Sequence, residues 1–131
     1  MKAPALFVYV KVPVDADRPD PFHSREEQID QALQRNGVGS VIGWGDSLGD
    51  ERADGSRAIA FNRIDITVTD LMAARSVLQT VLGALRVASG TEIHYTRDGM
   101  ALMDVWALPD WLLEQPVPAV RQRASVARGR I

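Results

Sequence analysis

The stretch 5-ALFVYVKVPV-14 alternates between two kinds of side chain with a period of two. Phe7, Tyr9 and Lys11 fall on one side, and a row of aliphatic residues falls on the other. This period is typical of a β-strand with one buried face. The stretch therefore predicts a strand whose aliphatic side faces a core: Leu6, Val8, Val10, Val12 and Val14.

A helix is predicted to follow this strand. Ser24 and Glu27 form the S-x-x-E pattern of a capping box, and Gly37 is placed to end the helix in the left-handed conformation. Residues 38–44 then predict a short strand weakened by glycine, and residues 46–57 a polar hairpin loop.

Alternation resumes over residues 58–69, which predicts another strand with one buried face. Asp70 is a natural N-cap for a second helix that should extend to about Arg86. Gly83 lies inside that helix, where glycine costs roughly 1 kcal/mol relative to alanine. We therefore expect Gly83 to mark a close approach of the helix to the sheet.

Residues 91–96 and 100–108 predict a hairpin with two possible registers. A two-residue turn at Asp98 and Gly99 would pair Ile93 with Asp104 and bring a carboxylate beside the core. A three-residue loop would pair Ile93 with Met103 and keep the buried side apolar. We predict the second register, in which one group of residues shares the side away from the core: Glu92, His94, Leu102, Asp104 and Trp106.

The resulting order is strand, helix, strand, strand, helix, strand, with one strand appended. Over residues 5–96 this order resembles the ferredoxin-like (split βαβ) superfamily. The resemblance implies an α+β sandwich with an antiparallel sheet and both helices on one face. We expect a single domain over residues 1–114, followed by a basic and mobile C-terminal tail over residues 115–131.

Composition narrows the possible classes of function. The chain has 131 residues, of which 46% are apolar and 24% are charged. It has no cysteine, which excludes disulfide frameworks, thiolate metal sites and thiol catalysis. The net charge is −2. Residues 115–131 contain four arginines and no acidic residue, so the rest of the chain carries a net charge of −6. An acidic protein of this kind does not favour the binding of nucleic acid. No membrane span or signal peptide is predicted, so we expect a cytoplasmic protein. The preference for arginine over lysine indicates a bacterial source.

The side of the sheet away from the helices is predicted to be too apolar to stay uncovered. The C-terminal segment with Trp106 and Trp111, a second copy of the chain, or a ligand or partner could cover it. We expect a second copy or another protein to do so, in a non-enzymatic interaction or regulatory module without metal or cofactor. Aromatic and arginine side chains typically dominate such contacts. The predicted interface residues are Phe7, Tyr9, Lys11, Ile59, Phe61, Arg63, Asp65 and Trp106.

A second hypothesis is a small-ligand site, metal site or active site. In the predicted hairpin register Glu92 lies opposite Asp104, with His94 on the same face. Two carboxylates and an imidazole could ligate a divalent metal, and a histidine beside carboxylates could act as a general base. Their spacing matches no catalytic motif, so we assign no catalytic residue and keep these three as candidates.

A third hypothesis is RNA binding. Leu6-Phe7-Val8 is similar to the start of the shorter RNP motif of RRM domains, and the stretch 57-RAIAF-61 is similar to part of the longer one. The resemblance implies bases stacked on aromatic residues of the first and third strands. Ala58 and Ile59 depart from that motif, and the acidic body opposes binding of a polyanion. Nucleic acid is therefore not the expected partner.

Overall fold

The computed structural model of the chain describes residues 6–14, 24–51, 53–54 and 57–117. It is an α+β structure with one six-stranded antiparallel sheet and two helices. The elements in chain order are β1 (Leu6–Pro13), α1 (Ser24–Arg35), β2 (Gly39–Glu51), β3 (Arg57–Val68), α2 (Leu71–Ala84), β4 (Glu92–Arg97), β5 (Met100–Ala107) and β6 (Asp110–Pro116).

The strands lie in the order β2-β3-β1-β4-β5-β6, and every pair is antiparallel. Both helices pack on the same side of the sheet, because their buried residues join one core with the aliphatic rows of β1 and β3. The predicted α+β class is confirmed, and the arrangement is compatible with the ferredoxin-like class. Two strands follow β4 where the sequence predicted one.

The extra strand, β6, lies where only a short docking segment was predicted. Its Trp111 pairs with Trp106 of β5, and the two rings lie 5.3 Å apart. Such cross-strand aromatic pairs stabilise antiparallel strands. Strand β2 is also longer than predicted, because it continues through the first half of the stretch predicted as a loop. There the Asn62 amide donates to the Asp46 carboxylate at 2.9 Å, across β2 and β3.

The predicted ends of the helices are confirmed in part. Gly37 adopts a φ of 66° after α1, and the Asp70 carboxylate caps α2 by accepting from the Ala73 backbone N–H at 3.1 Å. The prediction for Gly83 is wrong, since a Cβ there would meet nothing within 4 Å. The close approach occurs instead at Gly39, where a Cβ would collide with a backbone carbonyl oxygen of β3.

The predicted register of the β4–β5 hairpin is wrong. The turn is the two-residue one, with φ of 53° at Asp98 and 78° at Gly99, and Ile93 pairs with Asp104. Positive φ at both positions is the signature of a type I′ turn. Because a shift of one residue exchanges the two faces of a strand, Asp104 and Trp106 lie on the helix side rather than on the opposite side.

The described residues do not test two of the predictions, the mobile tail and the place of Ile59 in the interface. The tail is described only as far as Val117, and residues 118–131 lie outside the described residues, as does the side chain of Ile59. Within the described part of the chain, neither helix has the length and apolar character to cross a membrane.

Candidate interaction face of the sheet

We call the side of the sheet away from the helices the open face. The strand registers place its residues in levels that run across the sheet. One level contains Asp65, Tyr9, His94, Met103 and Gln115. The next level contains Arg63, Lys11, Glu92, Val105 and Leu112. Phe7 beside Thr67 lies beyond the first level, and Pro13 beside Phe61 lies beyond the second.

A column of stacked groups crosses three strands of this face. The Arg63 guanidinium lies 4.0 Å from the centre of the Tyr9 ring, and the Tyr9 and His94 rings are stacked 4.5 Å apart with an angle of 8° between their planes. Cation–π contact and parallel stacking restrict the rotamers of all three side chains. The side chains at the centre of the open face are therefore held in place by contacts within the chain.

His94 is only 6% exposed although it belongs to the open face. Tyr9 covers its ring on the β1 side, Met103 is its neighbour on β5, and its Nε2 lies 2.7 Å from Glu92 Oε1. The carboxylate partner and the stacked ring hold the imidazole in place within the chain. This environment leaves little of the ring accessible to a substrate.

The charges of the open face are balanced. Arg63 Nε donates to Asp65 Oδ1 at 2.7 Å, and both side chains are partly exposed, at 40% and 35%. The Lys11 ammonium lies 4.3 Å from the centre of the Phe61 ring. Two cations, Lys11 and Arg63, thus face two carboxylates, Asp65 and Glu92, within two adjacent levels. A balanced surface of this kind does not attract a polyanion.

Apolar groups are exposed at two borders of the same face, at one end of β1 and on edge strand β6. Phe7 is 51% exposed, with its ring 6.0 Å from that of Tyr9. Leu112, on edge strand β6, is 48% exposed. Together with the partly buried Met103 and Val105 they frame the charged centre. Aromatic residues, methionine and arginine, which occur together on this face, are the residue types enriched in protein interfaces.

Asp104 belongs to a different site, on the helix side. Its carboxylate is fully buried and accepts two bonds from Arg75, Nε to Oδ2 at 2.8 Å and Nη2 to Oδ1 at 2.9 Å. It also accepts from the Gln79 amide at 3.1 Å, the Tyr95 hydroxyl at 2.9 Å and the Glu114 backbone N–H at 2.9 Å. These contacts join α2, β4, β5 and β6 at one carboxylate.

The ionisation of this cluster follows from its geometry. Burial alone would raise the pKa of Asp104, but the bonds from Arg75, the Glu114 N–H and Tyr95 outweigh burial and hold that pKa below its usual range. Burial, the bond to Asp104 and the nearby carboxylate charge raise the pKa of Tyr95. Burial opposes the charge of Arg75, but its pairing with Asp104 raises the pKa of the guanidinium. The pair is therefore ionised at neutral pH.

The predicted set of Glu92, His94 and Asp104 does not come together. Asp104 lies on the opposite side of the sheet from the other two, and its carboxylate is occupied by hydrogen bonds. No group of three potential metal ligands occurs among the described residues. The predicted place of Trp106 in the interface is also wrong, because Trp106 packs with Trp111 against the core on the helix side.

Sequence reasoning missed the partners of Asp104. Arg75 is the only charged residue in the α2 stretch 71-LMAARSVLQTVLGA-84, and it lies among apolar positions that face the core. A lone arginine on the apolar side of a helix calls for a buried carboxylate, since an unpaired buried charge is costly. That signal points to the hairpin register in which Asp104 faces the helices.

The aromatic residues on which the resemblance to RRM domains depends lie far apart in the structure. Phe7 pairs with Thr67, whereas Phe61 pairs with Pro13 at the other end of β1. Six residues along a strand correspond to roughly 20 Å. Phe7 and Phe61 are therefore too far apart to stack neighbouring bases.

Comparisons of the chain with protein-family models, with curated proteins and with solved structures found no match. What the chain does must therefore be inferred from its own geometry.

Proposed function

We propose that this protein is a non-enzymatic interaction module that binds another protein chain through the open face of its sheet. The observation that carries the proposal is the half-exposed Phe7 ring beside an ordered column of Arg63, Tyr9 and His94. Side chains that are already held in place lose little conformational entropy on binding. Aromatic residues and arginine are also the types that contribute most to binding energy.

We also propose that the unit from β1 to β4 is a ferredoxin-like domain. A helix connects β1 to β2 and another connects β3 to β4, while β1 and β3 are neighbours at the centre of the sheet. This is the connectivity of a split βαβ unit. The fold leaves one face of the sheet without helices and therefore available for binding. The fold by itself assigns no function.

The two edges of the sheet are less suited to binding than the open face. On β2, the Val41 backbone N–H donates to Asp30 of α1 at 2.9 Å, and the register shifts along the strand. On β6, Glu114 has a φ of 55° at a register shift, and the Gln115 amide donates to the Leu113 carbonyl at 2.8 Å. Capped backbone groups and bulges hinder the addition of another strand.

The other two hypotheses have weaker support. An active site or metal site would need Asp104 beside His94, and these residues lie on opposite sides of the sheet. RNA binding through the two RNP-like stretches would need Phe7 beside Phe61 and an excess of positive charge, and the open face has neither.

The test is site-specific photocrosslinking in the native cells. Benzoylphenylalanine replaces Phe7 in one variant and Met72, which is 76% exposed on α2, in the control. We expect ultraviolet light to join a protein chain to position 7 and not to position 72. Absence of any adduct at position 7, in cells where the variant is folded and abundant, would contradict the proposal.

A further inference from the structure

We propose that the partner of the open face is the open face of a second copy, related by a two-fold axis that runs between the two sheets and across their strands. This inference rests on the proposed function and names its partner. In a two-fold interface the same patch is used on both copies, so that patch must be complementary to itself. A patch of a single charge would fail this requirement.

The two central levels of the open face are complementary to each other in four of the six strands, β3, β1, β4 and β5. In β3, Asp65 belongs to one level and Arg63 to the next. In β4, His94 and Glu92 stand in the same relation. In β1, Tyr9 precedes Lys11, and in β5, Met103 precedes Val105. Each of these four strands thus carries a matched pair, separated by one residue that faces the helices.

A two-fold axis across the strands exchanges these two levels. If the axis passes over Val10, which lies level with Ile64 and Ile93, each residue meets its match from the second copy. The contacts are Asp65 with Arg63, His94 with Glu92, Tyr9 with Lys11, and Met103 with Val105. Two residues further out, the exposed Phe7 ring meets Pro13 of the second copy.

An axis along the strands does not have this property. Placed over β1, it would set Lys11 against Lys11 of the second copy at the centre of the contact. Like charges in direct opposition are destabilising, so this arrangement is disfavoured. Moved to lie between β1 and β4, it would set Arg63 and Asp65 against the apolar Val105 and Met103 of the second copy. Of these placements, the axis across the strands is the one that sets opposite charges against each other and apolar groups against each other.

The open face is large enough for such a contact. Six strands span about 24 Å and the eight residues of β1 span about 26 Å at ordinary strand spacings. That footprint of about 600 Å² in projection approaches the roughly 800 Å² of accessible surface that each partner commonly buries. Aligned sheets pack about 10 Å apart and about 30° from parallel, so the pairing holds best near the axis.

The test is to mix two charge-reversal variants. In a dimer of Arg63→Asp, residue 63 of each copy faces Asp65 of the other. In a dimer of Asp65→Arg, residue 65 of each copy faces Arg63 of the other. Each like-charge contact occurs twice, so we expect each variant alone to dimerise at least about 30-fold more weakly than the unsubstituted chain. A mixture of the two restores opposite charges at both contacts.

Sedimentation equilibrium gives the dissociation constants, and circular dichroism verifies that each variant is folded. We expect the unsubstituted chain and the mixture to dimerise, the separate variants to dissociate, and the control Met72→Asp to behave as the unsubstituted chain. A monomeric unsubstituted chain, or unaltered dimers of the separate variants, would overturn the proposal. A mixture that stays monomeric would overturn the axis. A foreign protein joined to position 7 would overturn self-association while supporting the interaction module.

Discussion

Replacing Asp104 by asparagine should strongly destabilise the fold. The carboxylate accepts five hydrogen bonds from Arg75, Gln79, Tyr95 and the Glu114 N–H. Asparagine keeps the shape but offers one oxygen, so some of those donors lose their acceptor and the Arg75 guanidinium stays buried without a counter-charge. Breaking a buried ion pair in this way costs about 3–5 kcal/mol. Urea unfolding at neutral pH measures the loss.

The matched control is Asp65→Asn. It makes the same chemical change in another Arg–Asp pair, but the Arg63 and Asp65 side chains are 40% and 35% exposed. Exposed pairs contribute about 0.2–1 kcal/mol. If both variants lose the same free energy of unfolding, burial of the Asp104 cluster has no energetic role and the reasoning is refuted.

The pH dependence gives a second readout for Asp104. Because its folded pKa is held below the unfolded value of about 3.9, its ionisation stabilises the fold above that pH. This stabilisation is lost as pH falls from about 4 through the folded pKa. The difference between the unsubstituted chain and Asp104→Asn should therefore shrink below pH of about 4. A difference that stays constant down to complete acid unfolding would contradict the lowered pKa.

Three further predictions concern the backbone, and urea unfolding measures each. Gly83→Ala should stabilise the protein by about 0.5–1 kcal/mol, because a Cβ meets nothing there; a loss of stability would reveal a contact at that site. Gly39→Ala should destabilise by about 1–3 kcal/mol, because its Cβ would collide with the Thr67 carbonyl; a neutral effect would mean that β2 can move aside. Asp70→Ala should cost about 1 kcal/mol through loss of the cap to Ala73; no change would mean that another group caps α2.

The sequence predicted β1 and β3 well because one side of each strand is buried. Alternation assigns Val8 and Ile66 to the core and Tyr9 and Asp65 to the open face, and a slip of one residue would bury the polar set. The same rule does not extend to β6. That strand is short, and the register shift at Glu114 interrupts its alternation, so the sequence carries no clear period there.

The predicted register of the β4–β5 hairpin is wrong for a different reason. A buried carboxylate is unfavourable only when it has no partner, and β5 by itself supplies none for Asp104. The partner, Arg75, is 29 residues away in the chain, on a helix that meets β5 only after folding. Local patterns cannot pair two buried charges across such a separation, although each charge taken singly is anomalous for its position.

The Arg75–Asp104 pair also determines the composition of the open face. In the alternative register Asp104 would lie on that face opposite Glu92, adding a negative charge and removing Met103. By drawing Asp104 to the helix side, Arg75 fixes the register that places Met103 and Val105 on the open face. In some proteins a buried ion pair or polar group contributes more to the choice of one arrangement than to stability. The balance of charge that the proposed dimer needs is thus set from the opposite side of the sheet.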